Sequence, residues 1–206
     1  MISNNLISIK EILPSGVQLV VVSKTRTNQD ILECYNTRHR IFGENRVQEL
    51  VKKYKELPKD IEWHLIGHLQ KNKVRYIASF ISLIHSIDSI ELLEEINKQA
   101  LKFNRVINCL LEVKLSTEEN KHGVSFNNVE NLLGKLDNLK NVKVIGLMGM
   151  STNTTDESLI QEEFHQLSLL FKKSNLDILS MGMSNDYHIA IKEGSNMVRI
   201  GNKIFN

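Results

Sequence analysis

Proline and long apolar runs are scarce in this sequence of 206 residues, which has only Pro14 and Pro58 and no Ser/Gly-rich or low-complexity tract. Such tracts are typical of linkers, so we expect a single domain over residues 1–206. No apolar run approaches the roughly 20 residues that a membrane helix needs. The N-terminus lacks the basic start, continuous apolar segment and cleavage site of a signal peptide. We therefore expect no membrane span and no secretion signal.

Cysteine and net charge are also low. The two cysteines, Cys34 and Cys109, form no CxxC pair, and without a secretion signal they are interpreted as reduced structural thiols of a cytoplasmic protein. The formal net charge of +2 gives no reason to expect an acidic partner. The short basic clusters Lys52–Lys55 and Lys71–Arg75 are interpreted as solvated helix faces, so we expect no nucleic-acid partner.

Short apolar runs alternate with amphipathic runs along the whole chain. The apolar runs predict strands at Gln18–Ser23, His39–Phe42, Glu62–Leu65, Leu83–Ser86, Val106–Val113, Val142–Met148, Asp177–Ser180 and Met197–Ile200. The amphipathic runs predict helices at Leu6–Leu13, Asn28–Asn36, Val47–Glu56, Asn72–Phe80, Ile90–Phe103, Asn128–Leu136, Glu157–Lys173 and Asn185–Glu193. This alternation predicts a parallel sheet. Eight strand–helix units and an extra N-terminal helix favour a (β/α)8 barrel, with an open doubly wound sheet as the alternative.

Local signals support these boundaries. The residues Thr154–Glu157 have capping-box spacing before the longest helix, and Gly194 stands where a left-handed residue commonly ends a helix. The segments Leu147–Ser151 ("LMGMS") and Ser180–Ser184 ("SMGMS") are alike and lie about one strand–helix unit apart, which indicates repeated units.

Lys24 follows a strand that is apolar on both faces, in the segment "LVVVSKT". The carboxyl ends of barrel strands carry the functional groups of this fold. A lysine desolvated at that rim has a lowered pKa, and its neutral amine can attack a carbonyl group. A lysine that extends its amine into water is the alternative that position alone favours.

The segments after strands seven and eight are the places where barrels commonly bind phosphate. The first contains Gly182 and Ser184, and we expect Ser184 to cap the helix that follows, whose free N–H groups suit an anion. The second contains Gly201, directly after the strand that carries Arg199. Each segment alone could be an ordinary capped turn. Together with a lysine and an arginine at the same mouth, they indicate a pyridoxal phosphate site.

Other candidate sites are weaker. His64 and His68 would lie roughly 13 Å apart on an extended segment, which is too far for one zinc ion, so we expect no metal site. His85 is interpreted as a hydrogen-bonded structural histidine. The methionines near the two similar segments are interpreted as core residues; they are Met148, Met150, Met181 and Met183.

Several segments resemble the pyridoxal phosphate homeostasis proteins. They are "VVVSKT", "FGENRVQE", "WHLIGHLQKNK", "LIHSID", "KHGV", "GLMGM", "LSMGMSNDY" and "MVRIGNKIF". The resemblance implies the TIM-like barrel of the alanine racemase N-terminal domain, with a covalent aldimine (Schiff base) between pyridoxal phosphate and Lys24. It also implies that Arg199 approaches the pyridine nitrogen, that Ser184 and the Gly201 amide hold the phosphate, and that Asn45 lines the cofactor face.

Two positions depart from the family pattern. Asn202 stands where such sequences usually have a small hydroxyl residue or alanine, and its bulk disfavours tight phosphate packing, although its amide can donate a hydrogen bond. Asn206 stands where the family commonly has glycine and continues, so we expect that the chain is truncated or ends early.

The function that this implies is to hold pyridoxal phosphate and deliver it transiently to apo-enzymes, as a monomer with little or no catalysis. The alternatives are an amino-acid racemase or a related enzyme that uses the same aldimine, and a metabolite-binding barrel without a cofactor. Racemisation needs two positioned acid/base groups, and the four tyrosines all fall in predicted helices. An arginine partner would also keep the ring nitrogen unprotonated, which disfavours a racemase.

Overall fold

The computed structural model describes residues 1–115 and 123–206. Within them, parallel strands form a closed barrel in chain order, and the eighth strand pairs with the first. The strands are β1 Gln18–Val22, β2 Ile41–Glu44, β3 Glu62–Leu65, β4 Leu83–Ile87, β5 Ile107–Val113, β6 Val142–Gly149, β7 Ile178–Ser180 and β8 Met197–Ile200. The (β/α)8 barrel prediction is confirmed, and the open sheet is excluded because β1 and β8 are paired.

Helices alternate with the strands, as the sequence predicts. They are α1 Ile2–Ile12, α2 Asn28–Asn36, α3 Val47–Glu56, α4 Ile90–Leu101, α5 Phe126–Leu133, α6 Glu157–Lys173, α7 Tyr187–Lys192 and α8 Asn202–Phe205, with a 3₁₀ helix at Lys71–Tyr76. The extra N-terminal helix is confirmed. Helix α1 packs against α2 and α8, and Asn5 Nδ2 donates to the Ile204 carbonyl at 3.1 Å.

Burial on both faces explains the apolar strands. In β1, Leu19, Val20 and Val21 are all buried. Val20 belongs to a small cluster inside the barrel, whose members come from five different strands: Val20, Leu83, Leu110, Met148 and Met197. Leu19 and Val21 belong to the larger cluster between the strands and the helices. Alternate side chains of one strand thus fill two separate cores, which is why the strand is continuously apolar.

Three local predictions are wrong. Lys71–Tyr76 forms a 3₁₀ helix where Asn72–Phe80 was expected to be α-helical, and the Arg105 guanidinium donates to the carbonyls of Ala78 and Ile81 after the end of that 3₁₀ helix. The cap of α6 is Asp156, which accepts from two backbone N–H groups, rather than Thr154. Lys53 in the basic cluster Lys52–Lys55 is buried rather than solvated.

Other local predictions are confirmed. Gly194 follows α7 with a φ of 100°, in the left-handed region. Cys34 and Cys109 are buried free thiols, and burial raises the pKa of both, to about 12 for Cys34. The motif segment "KHGV" falls partly outside the described residues, since Lys121 and His122 precede residue 123. No helix in the described ranges is both long and apolar enough to span a membrane.

Candidate functional site

A cavity of about 370 Å³ opens at the carboxyl ends of the strands. It is lined by every site residue expected from the sequence: Lys24, Asn45, Ser184, Arg199, Gly201 and Asn202. These residues come from the segments that follow β1, β2, β7 and β8, and from β8 itself. Barrel closure therefore gathers groups from both ends of the described sequence at one mouth. Within residues 1–115 and 123–206, no group of three or more His, Cys, Asp or Glu side chains is placed to hold a metal ion.

Lys24 stands at the rim of this cavity, just after β1. Ser23 before it is fully buried, whereas Lys24 and Thr25 are exposed. Of the two interpretations of Lys24, the exposure fits the one that position alone favours, in which the amine extends into water, and not the desolvated lysine. Thr25 has a φ of 63°, in the left-handed region that a β-branched residue rarely adopts. The chain therefore turns at Lys24 and Thr25, directly after the apolar strand.

The two expected phosphate-binding segments meet across the cavity. The Gly201 N–H donates to Ser184 Oγ at 3.4 Å. Gly182 has a φ of 96°, and a Cβ added there would lie 2.6 Å from the Ala190 Cβ, so only glycine fits. A Cβ added at Gly201 would lie 2.9 Å from the Val22 carbonyl oxygen. Both glycines thus allow the close backbone approach that brings Ser184 and the Gly201 amide together.

Asp186, rather than Ser184, is the N-cap residue of α7, because that helix begins at Tyr187. The Asp186 carboxylate accepts from the Met183 N–H at 2.5 Å and from Ser151 Oγ at 2.9 Å. It therefore shapes the segment that carries Ser184 and ties it to the segment after β6. The expectation that Ser184 caps the helix is wrong, although Ser184 still lines the cavity.

Arg199 is buried at the base of the cavity and fixed by strand groups. Its Nη1 donates to the Ser180 carbonyl at 2.9 Å and to Ser180 Oγ at 2.7 Å, and its Nη2 donates to the Gly149 carbonyl at 3.0 Å. Burial lowers the pKa of Arg199 to about 10, so the guanidinium remains charged at neutral pH. Its position is set by β6 and β7 before any ligand is considered.

A chain of hydrogen bonds continues from Arg199 into the barrel. Ser180 Oγ lies 3.2 Å from His85 Nδ1, and His85 Nε2 lies 3.1 Å from His64 Nδ1. Because a guanidinium can only donate, we assign the hydroxyl proton of Ser180 to the bond with His85, and the His85 Nε2 proton to the bond with His64. Burial lowers the pKa of both histidines, to about 3 for His64. The interpretation of His85 as a hydrogen-bonded structural histidine is confirmed.

Sequence reasoning missed part of the cavity wall. Met148 and Met181 are buried as expected, but Met150 and Met183 line the cavity. Ser151 lines it too. The similarity of "LMGMS" and "SMGMS" was a usable signal, because Ser151 and Ser184 end the two segments and both reach this cavity.

The fold and the site together define a barrel of the alanine racemase N-terminal type. The family model described as "Alanine racemase, N-terminal domain" matches residues 1–205. The chain belongs, more narrowly, to the pyridoxal phosphate homeostasis protein family. It is 42% identical over 195 residues to the family member of Aquifex aeolicus, covering 91% of this chain and 86% of that protein. It is 38% identical to the Helicobacter pylori member, covering 92% and 87%.

Solved structures agree with this assignment. The chain superposes on PipY of Synechococcus elongatus, solved with pyridoxal phosphate bound, with a TM-score of 0.93, 35% identity and full coverage of both chains. Alanine racemase of Clostridium difficile gives a TM-score of 0.83 at 13% identity, covering 99% of this chain and 56% of the racemase. The racemase comparison supports the shared barrel fold only.

Proposed function

We propose that this protein binds pyridoxal phosphate covalently through Lys24, holds it, and delivers it to apo-enzymes. The observation that carries the proposal is the convergence of Lys24, Arg199 and the Ser184–Gly201 pair on one cavity. These are an amine, a fixed cation and two phosphate-binding groups, which suit the aldehyde, the ring nitrogen and the phosphate of this cofactor. The names of the relatives and the ligand in PipY support the same cofactor.

Each residue then has a distinct task. Lys24 would hold the cofactor covalently, through its amine and the aldehyde of pyridoxal phosphate. Arg199 presents a guanidinium to the ring nitrogen. Ser184 Oγ and the Gly201 N–H donate to the phosphate, and Asn45 and Asn202 complete the wall. When bound, pyridoxal phosphate supplies an aldehyde that condenses reversibly with amines, and this reversibility permits release.

The ionisable groups that line the cavity favour delivery over catalysis. Among the described residues that line the cavity, the ionisable ones are Lys24, Asp186 and Arg199. Asp186 is occupied by its bonds to Met183 and Ser151, and Arg199 remains protonated at neutral pH. A racemase needs a second positioned acid/base group opposite the lysine. We therefore propose a non-enzymatic role, carried out by a monomer in the cytoplasm that meets apo-enzymes transiently.

Borohydride reduction followed by peptide mass spectrometry tests the covalent bond. Pyridoxal phosphate is added, the Schiff base is reduced, and the modified lysine is located. We expect the modification at Lys24, its loss in Lys24→Ala, and no change in the control Lys52→Ala, which alters an exposed lysine of α3. Modification spread over exposed lysines, or retained at full yield in Lys24→Ala, would contradict the assignment.

Delivery is tested with a phosphatase that destroys free pyridoxal phosphate. The loaded protein is mixed with an apo-enzyme in the presence of this phosphatase, and enzyme activity is followed. We expect reactivation from the loaded protein and none from the same amount of free cofactor. Equal failure of both sources would refute delivery while leaving the binding proposal intact.

A further inference from the structure

Beneath Lys24 lies a buried ion cluster that the tasks above do not use. Lys53 on α3 is only 5% exposed, and its ammonium makes three hydrogen bonds of 2.8 Å, to the Ser23 carbonyl, Glu44 Oε1 and Glu49 Oε1. An ammonium has three donors, so all of them are used. Ser23 Oγ also donates to Glu44 Oε1 at 2.5 Å. The cluster is thus a tightly bonded unit between α3 and the ends of β1 and β2.

This cluster holds the backbone on both sides of Lys24. The Ser23 carbonyl, bonded by Lys53, belongs to the peptide group that precedes Lys24. The Thr25 N–H belongs to the peptide group that follows Lys24, and it donates to Glu49 Oε1 at 2.8 Å. Glu49 Oε1 is the same oxygen that accepts from Lys53. Both peptide groups of Lys24 are therefore tied to one ammonium, one directly and one through Glu49.

The backbone at this point needs such restraint. Thr25 has a φ of 63°, and residues held in this region persist only where surrounding contacts fix them. The Lys24 side chain itself is exposed. The backbone of Lys24 fixes the position of its Cα and the direction of its Cα–Cβ bond, from which the side chain reaches the cavity. Loss of the bond from Thr25 to Glu49 would free the turn to relax and move the root of the Lys24 side chain.

We infer that Glu49 and Lys53 are positioning residues that aim Lys24 at the cofactor aldehyde. This inference rests on the proposed function. Glu49 and Lys53 would govern formation of the C–N bond between the Lys24 amine and the aldehyde carbon, a condensation that releases water. They do not govern the reversible docking of the phosphate and ring, which are held by other groups. Lys53 itself is not a competing nucleophile, because its buried ammonium is fully hydrogen-bonded.

Two ligands separate bond formation from docking. Pyridoxal 5′-phosphate can bond to Lys24, whereas pyridoxine 5′-phosphate has an alcohol in place of the aldehyde and can only dock. Glu49 is half-buried and lies at the edge of the cluster, so Glu49→Ala leaves the buried Lys53–Glu44 pair in place. Glu49→Gln keeps an oxygen that can accept from the Thr25 N–H. Lys52→Ala on the exposed face of α3 is the matched control.

Loss of a charge-assisted hydrogen bond that positions Lys24 should lower the affinity for pyridoxal phosphate about tenfold or more. For Glu49→Ala we expect the affinity for pyridoxal phosphate and the borohydride-fixed fraction at limiting cofactor to fall about tenfold. The affinity for pyridoxine phosphate should stay within about twofold, and Glu49→Gln should recover most of the loss. Lys53→Met should also lower the affinity for pyridoxal phosphate. The circular dichroism spectrum of this variant shows whether its barrel is intact. The control variant should match the wild type.

The results that would contradict the inference differ from those that would contradict the proposed function. Equal losses for both ligands in Glu49→Ala would show that the cluster only maintains the site as a whole and would overturn the inference. Unchanged binding of both ligands would overturn it as well. A wild-type protein that forms no borohydride-fixed bond at Lys24 would refute the proposed function, and the inference with it. A normal bond in both wild type and Glu49→Ala would refute the inference alone.

Discussion

His39 makes the stability of the barrel dependent on pH in a calculable way. The side chain is buried, with Nε2 at 2.8 Å from the Ile41 carbonyl, and burial lowers the pKa of His39 to about 4 from the ordinary 6.5. The unfolded chain therefore binds a proton at this site below pH 6.5, whereas the folded chain stays neutral until about pH 4. Stability is complete above pH 6.5 and declines as the pH falls from 6.5 toward 4.

The magnitude follows from the same values. At pH 5 the solution is about 1.5 pH units below the unfolded pKa, and each unit is worth about 1.4 kcal/mol, so His39 costs about 2 kcal/mol of unfolding free energy. The folded site is scarcely protonated at pH 5 and offsets little of this. His64 and His85 act in the same direction, because burial lowers the pKa of both. Acid should therefore destabilise this barrel as soon as the pH falls below about 6.5.

Equilibrium urea unfolding at pH 7 and pH 5 measures this effect. In His39→Gln the fall in unfolding free energy between the two pH values should be smaller than in the wild type by about 2 kcal/mol. This difference does not depend on whether the variant is less stable at pH 7. His188→Gln, which changes an exposed histidine of α7, should leave the fall unchanged within about 0.3 kcal/mol. An equal fall in the wild type and His39→Gln would refute the reasoning.

Two further predictions concern the cavity. Ser184→Ala removes one donor to a charged phosphate, worth about 1–3 kcal/mol, so the affinity for pyridoxal phosphate should fall about tenfold or more while that for unphosphorylated pyridoxal changes little. Equal losses for both ligands would show that Ser184 does not contact the phosphate. Solvent-deuterium exchange at the α-carbon of alanine or serine should be negligible. Exchange at about 1 per second or faster that Lys24→Ala abolishes would instead indicate a racemase.

The sequence alone was sufficient for the strand order and for a set of residues that line one cavity. Continuous apolar strands and amphipathic helices are properties of neighbouring residues, and the carboxyl end of every strand opens onto the same face of a barrel. The burial of Lys53 could not be predicted in this way. It depends on the contacts of Lys53 with Ser23 and Glu44, which lie on other elements of the fold. The hydrogen-bond chain from Arg199 to His64 could not be predicted from neighbouring residues either, because it joins side chains of different strands.

The pairing of β8 with β1 has a consequence for how this protein is made. In that pairing Val20 lies opposite Arg199 and Val21 opposite Ile200. The strand that leads to Lys24 can pair with β2 early, but it gains its second partner only when β8 is in place. During synthesis, Lys24 leaves the ribosome well before Arg199 and Gly201, which lie more than 170 residues later in the sequence. A growing chain can display the amine long before it possesses the arginine or the phosphate-binding groups. On the proposed function, capture of pyridoxal phosphate by the complete cavity would therefore report that the barrel has closed.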